Sequence, residues 1–298
     1  MLASTHNSIQ STYSDLISVL LDSSRLSATV YASPRVRGNW QIADSAASPT
    51  FHLLVRGSCW LHRDGAAPLE LAPGDLAVLL RGDRHLLAAG PVVKGSHTRL
   101  PKTQIGRVTE LISGRFDFGD ALADEILDDL PDLLVVGNDS MRLESLARLL
   151  AAEAAGTAPG RQVAMDRLSD LLFIAMLRHL MERGAVTRGL LAGLGDPCIS
   201  RALAAMHADP ARQWTLESLA QHAGMSRTAF TQRFRRLMNT TPLRWLTRLR
   251  MDKAQALLAL GRRPVGSVAG EVGYENEAAF RRAFARWRKA RADAARRG

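Results

Sequence analysis

The stretch from Trp214 to Leu237 constrains this chain more than any other, because it reads as two short helices around a tight turn. Thr215 can cap the first helix, its hydroxyl accepting from an amide two or three residues on. Leu216, Leu219, Ala220 and Ala223 recur at helical spacing and give that helix an inner face. Gly224 ends it, since glycine enters the left-handed region without a Cβ clash. Ser226 can cap a second helix whose buried stripe is Phe230, Phe234 and Leu237. Arg227, Thr228, Thr231, Gln232 and Arg235 are left on its outer face. A glycine turn between two helices, the second polar and basic outside, suits insertion into a DNA major groove.

A second copy lies about fifty residues downstream. Val265, Val268, Ala269 and Val272 make the apolar face of its first helix, and Gly273 is the turn. Asn276 can cap the next helix, with Phe280, Phe284 and Trp287 as its stripe and Glu277, Ala278, Arg281 and Arg282 outward. One such pattern is a weak signal; two in tandem are a strong one. The competing reading is a helical bundle whose charged faces are only solvated. Between the copies, Thr241-Pro242 opens a long helix to about Leu260, with proline suited to its first turn. About 18 residues at 1.5 Å each give roughly 27 Å. With the width of the packed motifs, that allows two reading helices about 34 Å apart, one turn of B-DNA.

Charge follows the same division. The 298-residue chain carries a net +10, and from residue 196 onward there are 20 Lys/Arg against 8 Asp/Glu. The cationic excess therefore sits on the repeated motif, the footprint of a polyanion-binding module beside a near-neutral partner. A basic membrane-surface helix would also be cationic but needs no paired glycine turns. No run approaches the roughly 18 apolar residues that span a bilayer, and the first residues are polar. Two cysteines, Cys59 and Cys198, make no disulfide scaffold. A cytoplasmic setting without membrane association is expected.

The N-terminal half has a different texture. Residues 1–12 read as a leader and Asp15–Leu21 as a short helix. From Leu26 to about Thr109, short apolar runs alternate with turn residues: 28–32, 51–55, 58–62, 69–71, 75–80 and 85–88, broken at Arg63-Asp64-Gly65, Ala72-Pro73-Gly74 and Arg81-Gly82-Asp83. Such spacing predicts a β-sandwich or small barrel. Helices are expected at 122–130, 141–155 and 165–183, then a glycine-rich linker to Pro197. The expected fold class is α+β: an N-terminal barrel with a helical extension, then an all-α domain of two helix-turn-helix units on one long helix. The expected domains are 1–120, 121–184, a linker at 185–197, and 198–298.

The segment from about 197 to 288 resembles the DNA-binding domain of AraC/XylS-type transcription regulators. The resemblance rests on Leu216-Glu217-Ser218-Leu219-Ala220, Met225-Ser226-Arg227, Phe230, Arg233-Phe234, Thr241 to Leu246, Arg248-Leu249-Arg250, Val272 to Glu275 and Phe280 to Phe284. Phe51 to Gly57, Leu71 to Leu76 and Arg81 to His85 resemble the cupin barrel of many AraC-type sensor domains, including the reactive-chlorine-responsive subgroup. There are two departures. Asn239 stands where the family usually has glycine, and the usual Phe-Gly-x-x-Pro-x-x-Tyr-Arg ending is replaced by Trp287-Arg288-Lys289-Ala290-Arg291.

The resemblance implies a sequence-specific regulator bound to double-stranded DNA. It also implies a small-molecule or oxidant effector in the barrel, a homodimer contacting through the 121–184 helices, and RNA polymerase as a further partner; the alternative for those helices is that their apolar stripe only covers the barrel. Gln pairs with adenine and Arg with guanine, and Thr can meet a thymine methyl. Thr228, Thr231, Gln232, Arg281 and Arg282 are therefore placed at base edges, with Asn276, Glu277 and Ala278 beside them. Glu277 and Ala278 offer less, so the second unit is expected to read less and grip phosphate more. Arg227, Arg235, Arg236 and the arginine-rich tail suit phosphate. In the barrel, His52 and His85 occupy two positions where metal-binding cupins place ligands. The position two after His52 is Leu54, and His62 or His97 could complete a set. Alternatively, His52 and His85 line a pocket with Trp40 and Trp60, or are ordinary core or surface histidines. Cys59 is a candidate redox residue, with a buried inert thiol as the competing reading. The alternative function is a cupin-type metal-dependent enzyme with an accessory nucleic-acid-binding domain; no catalytic residue and no cofactor other than that metal is expected.

Overall fold

The computed structural model describes residues 26–44, 48–91, 108–118, 127, 130–137, 140–259, 261 and 263–295. The expected leader, the Asp15–Leu21 helix, His97 and most of the 122–130 helix lie outside the described residues. The chain divides into two compact units at Ala185/Val186.

The first unit is built on β1 (Ser27–Ala32), β2 (Arg35–Val36), β3 (Gln41–Asp44), β4 (Thr50–Arg56), β5 (Cys59–Arg63), β6 (Leu69–Leu71), β7 (Leu76–Leu79), β8 (His85–Ala88), β9 (Thr109–Asp117) and β10 (Leu133–Val136). One sheet runs β1-β9-β4-β7-β10 with β2 on β9, the other β3-β8-β5-β6, and every pairing is antiparallel. Side chains alternate across a strand, and β4 buries both of its faces. Leu54 joins Ala77, Leu79 and Leu111 from its own sheet with Trp40, Cys59, Leu61, Leu71 and Leu87 in a core between the sheets. Phe51, of opposite parity, stacks on Phe116, which meets Phe173 of the helical layer. That layer is α1 (Met141–Ala155) and α2 (Arg161–Glu182).

Two expectations are corrected here. The barrel does not close near Thr109: β9 is the partner of both β1 and β4. Nor does the sheet end before residue 121, because β10 pairs with β7 through Leu133↔Leu79 to Val136↔Leu76. The boundary drawn at 120 therefore cuts through the first unit.

The second unit holds α3 (Leu190–Gly195), α4 (Pro197–Ala208), α5 (Leu216–Ala223), α6 (Arg227–Met238), α7 (Pro242–Ala259), α8 (Val265–Glu271) and α9 (Glu277–Ala295). The expected linker at 185–197 is corrected: Leu190 to Leu194 are buried in α3, and the Gly189 amide donates to the Leu237 carbonyl at 2.6 Å. Gly193 serves close packing, since a Cβ there would fall against the Met238 sulfur. Asp196 caps α4, accepting from the Cys198 and Ile199 amides at 3.0 Å, and its other oxygen receives Arg233 Nε of α6 at 2.7 Å. Arg233 is thus a brace inside the first helix-turn-helix unit.

Candidate functional site

The two glycine turns share one hydrogen-bond pattern. Gly224 N–H donates to Gln221 and Met225 N–H to Ala220; Gly273 N–H donates to Gly270 and Tyr274 N–H to Ala269. In both, the 6→1 bond of a left-handed helix stop satisfies a terminal carbonyl, with φ of +68° and +84° at the glycines. Thr215 and Ser218 form a reciprocal capping box on α5. Ser226 Oγ accepts from Ala229, and Asn276 Oδ1 from Ala278 and Ala279, capping α6 and α9. The glycine-to-cap step is one residue longer in the second unit, where Glu275 is inserted. Asn239 ends α6 at φ +51°, a conformation that asparagine tolerates better than most residues. The departure from glycine there is therefore absorbed. The missing family ending is absorbed too: α9 runs unbroken, with Phe280, Phe284 and Trp287 stacked along it and Arg291 paired to Asp252 of α7 at 3.3 Å.

Both helices leave their outer faces to solvent. Arg227, Thr228, Gln232 and Arg235 are exposed while Phe230 and Phe234 are buried. Thr228 and Gln232 have no hydrogen-bond partner among the described residues, so their polar groups are available. Thr231 is half-buried and its hydroxyl donates back to the Arg227 carbonyl at 2.8 Å. Arg227 pairs with Glu217 at 2.9 Å. On α9, Asn276, Glu277, Ala278, Arg281 and Arg282 are exposed, but Arg281 Nη2 lies 2.6 Å from Glu277 Oε1.

The two units are held by more than α7. Arg250 of α7 donates through Nε to the Pro210 carbonyl at 2.7 Å and through Nη2 to the Arg212 carbonyl at 2.9 Å. Its guanidinium sits 5.8 Å from the Tyr274 ring centre. Gln213 Nε2 donates to the Gly273 carbonyl at 3.1 Å. The segment between α4 and α5 is thereby strapped to the second turn. The sequence shows Arg250 without a hint of this role, since its partners are backbone atoms some forty residues away.

In the barrel, His52 and His85 meet. His52 comes from β4 and His85 from β8, on opposite sheets, with Nε2 atoms 2.7 Å apart. Each Nδ1 is held by an oxygen: Ser113 Oγ at 2.8 Å for His52 and the Asp83 carbonyl at 2.7 Å for His85. Asp44, opposite His85 in the β3/β8 register, brings a carboxylate so that the three ligand atoms lie within 4.8 Å of one another. Tyr31 donates to the Asp44 carboxylate. Thr50 lies two residues before His52 on β4, and its wholly buried hydroxyl has no hydrogen-bond partner among the described residues. Asp44 and Ser113 were missed in the sequence, because only strand pairing brings them near His52; Thr50 was missed although it is two residues away on the same strand. Of the other expected lining residues, Trp40 belongs to the apolar core and Trp60 is half-buried opposite Ala88 on β5/β8. His62 does not complete the cluster; its Nε2 bonds the Gly90 carbonyl at 3.0 Å.

The surroundings of Cys59 favour the buried inert thiol of the two readings. It is 0% exposed within the apolar core, and burial pushes its pKa up to about 12, which removes the thiolate that redox chemistry needs.

Burial, then the neighbouring His85, lowers the His52 pKa to about 3. Because the folded value lies below the ordinary 6.5, the neutral ring stabilises the barrel fully above about pH 6.5. That contribution is lost as pH falls toward 3, at about 1.4 kcal/mol per pH unit. In chelator-treated protein, urea unfolding of the barrel unit followed from pH 7.5 to 4.5 will show this slope. His52→Gln will flatten it; an equal slope in that variant places the titration elsewhere.

Comparison with known proteins agrees with this architecture. A cupin family model matches residues 15–182, and a helix-turn-helix domain model matches 219–298. A putative AraC-like transcription regulator of Streptomyces lividans is 32% identical over 287 residues, covering 91% of this chain and 93% of that protein. The RCS-specific HTH-type transcriptional activator RclR of Escherichia coli is 28% identical over 282 residues, covering 91% and 93%. The crystal structure of the DNA-binding domain of AdpA with a target DNA is 37% identical over 30% of this chain and 81% of that one, with a TM-score of 0.29. The relatives are transcription regulators, not enzymes. No described helix is long and apolar enough to cross a membrane. Identity of that order across nine-tenths of both proteins, on a chain with a barrel followed by a double helix-turn-helix unit, makes this a member of the AraC family of DNA-binding transcription regulators with an N-terminal cupin domain.

Proposed function

We propose that the chain is a signal-responsive regulator that recognises a specific operator, with α6 and α9 in successive major grooves and the barrel receiving the signal. The observation that carries the DNA reading is the pair of capped helices whose apolar stripes are buried and whose polar faces are open. Thr228, Thr231 and Gln232 face the bases, the Asn276–Arg282 segment enters the neighbouring groove, and Arg235 and Arg236 face phosphates. Gln232→Ala will change the preference at one base position, by about 1–3 kcal/mol, in competition binding against single-base operator variants. A uniform loss over all variants would move Gln232 to the phosphate backbone.

The buried cluster of Asp44, His52 and His85 supports the signal reading. A divalent transition metal fits it: both Nδ1 atoms have oxygen partners, the arrangement that turns the Nε2 atoms toward a metal. Two imidazoles and one carboxylate form a set that suits zinc or iron. A bound ion would supply fixed positive charge at the junction of the two sheets. Calorimetric titration of chelator-treated protein with Zn²⁺ will show one site per chain, lost in His85→Ala and weakened at least tenfold in Asp44→Asn. No heat above the His85→Ala background would leave the cluster as lining of an organic-ligand pocket.

A change at this site reaches transcription as a shift between DNA-competent and incompetent populations. The α1/α2 layer supports a homodimer. It carries a groove of about 690 Å³ lined by Met141, Leu146, Leu171 and Ile174 among others, and Met141, Leu149, Val163 and Leu171 are exposed. RNA polymerase is the further partner that the family reading brings.

A further inference from the structure

We propose that the two helix-turn-helix units divide the work: α6 reads bases, and α9 is a phosphate-gripping rod whose C-terminal half extends past the groove. This rests on the DNA-binding reading above.

Three observations carry it. First, the groups best able to read on α9 are paired within the protein. Arg281 gives both Nε and Nη2 to Glu277 Oε1, at 2.8 and 2.6 Å. The other Glu277 oxygen lies against α8, where a Cβ on Gly266 would fall 2.6 Å away. Ala278, at the place that Thr228 takes in α6, offers a base edge no polar group. By contrast, Thr228 and Gln232 of α6 have no competing partner among the described residues.

Second, α9 is 19 residues against 12 in α6. At 1.5 Å per residue its first two turns already match the roughly 12 Å width of the major groove. Arg286 lies about 14 Å along and Lys289 about 18 Å, where the helix has left the groove and meets the sugar-phosphate wall.

Third, the charges on that outer half are free. Arg282, Arg286 and Lys289 recur at i, i+4 and i+7, on the side away from the Phe280, Phe284 and Trp287 stack. All three are exposed and make no ion pair among the described residues, Asp293 included. Arg291, on the packed side, is the one consumed by Asp252. A row of cations without base-reading partners holds a backbone and carries no sequence information.

The test is selection of duplexes from a randomised library by the full chain, followed by binding at several salt concentrations. The expected result is one segment of strongly fixed bases and a neighbouring segment, one turn away, with weak preferences that is nonetheless required for affinity. Arg286→Gln/Lys289→Gln will leave the base preferences unchanged and make the log–log salt slope shallower by about 1.8, the value for two lost phosphate contacts. Gln232→Ala will do the reverse. Two equally informative segments, or an unchanged slope in the double variant, would overturn the division of work while leaving DNA binding intact. If the wild-type chain selects no duplex at low salt, the DNA-binding reading itself fails and takes this proposal with it.

Discussion

Raising KCl from about 50 to about 200 mM will weaken binding of the selected duplex by about a thousandfold. The figure comes from counting which cations are available. The reader carries many arginines, but several are already neutralised: Arg227 by Glu217, Arg281 by Glu277, Arg233 by Asp196 and Arg291 by Asp252. Arg250 is spent on backbone carbonyls. The exposed cations of α6 and α9 without an ion pair among the described residues are Arg235, Arg236, Arg282, Arg286, Arg288 and Lys289. About six phosphate contacts give a slope near −5.4, and a fourfold rise in salt then costs about three powers of ten. Fluorescence anisotropy with a labelled duplex reads this directly. A slope near −1 would mean that these faces do not meet phosphates. A slope near −9 would mean that the paired arginines release their carboxylates on binding. Surface pairs of this kind are worth about 0.2–1 kcal/mol each, small enough for DNA to compete, so the slope distinguishes the two states of the interface.

The parts of this molecule legible in its sequence are those encoded within one turn of helix. Caps at Thr215, Ser226 and Asn276, the stops at Gly224 and Gly273, and the spacing of Phe230, Phe234, Phe280 and Phe284 are local signals, and each appears in the structure as read. The His52–His85 meeting was legible only through the cupin resemblance. Asp44 and Ser113 were not, because they approach through strand registers with β8 and β4 that no spacing in the chain announces. β9 escaped notice because its Thr109–Asp117 sequence alternates poorly: most of its residues are buried on both faces. Leu190 to Gly195 misled in the opposite direction. Its glycines read as a linker, yet Gly193 lets α3 press close to α4 and α6.

The two turn glycines look alike in sequence and will respond very differently to alanine. Both have positive φ, which disfavours any Cβ by about 1–2 kcal/mol. At Gly224 the added carbon would meet only the end of the Arg201 side chain at 3.1 Å, which can move aside. At Gly273 it would fall 2.4 Å from the Ala211 carbonyl oxygen and 2.8 Å from Ala211 Cα, both backbone atoms. That segment cannot retreat freely, because Arg250 holds the carbonyls on either side of Ala211. Hydrogen bonds from a charged donor are worth about 1.5–3 kcal/mol, so moving the loop loses them and staying keeps the clash. Gly273→Ala is therefore expected to destabilise the second unit by about 3–4 kcal/mol, and Gly224→Ala the first by about 1–2. Hydrogen exchange of the α8 and α5 amides reads the two effects separately in the full chain. The strap makes a sharper prediction through a double-mutant cycle. Once Arg250→Ala has released the loop, Gly273→Ala should cost about 1–2 kcal/mol less than it does alone, because the backbone can then move away from the new methyl. Additive costs would show that Arg250 does not hold the loop against the turn, and that the two reading units are joined by α7 alone.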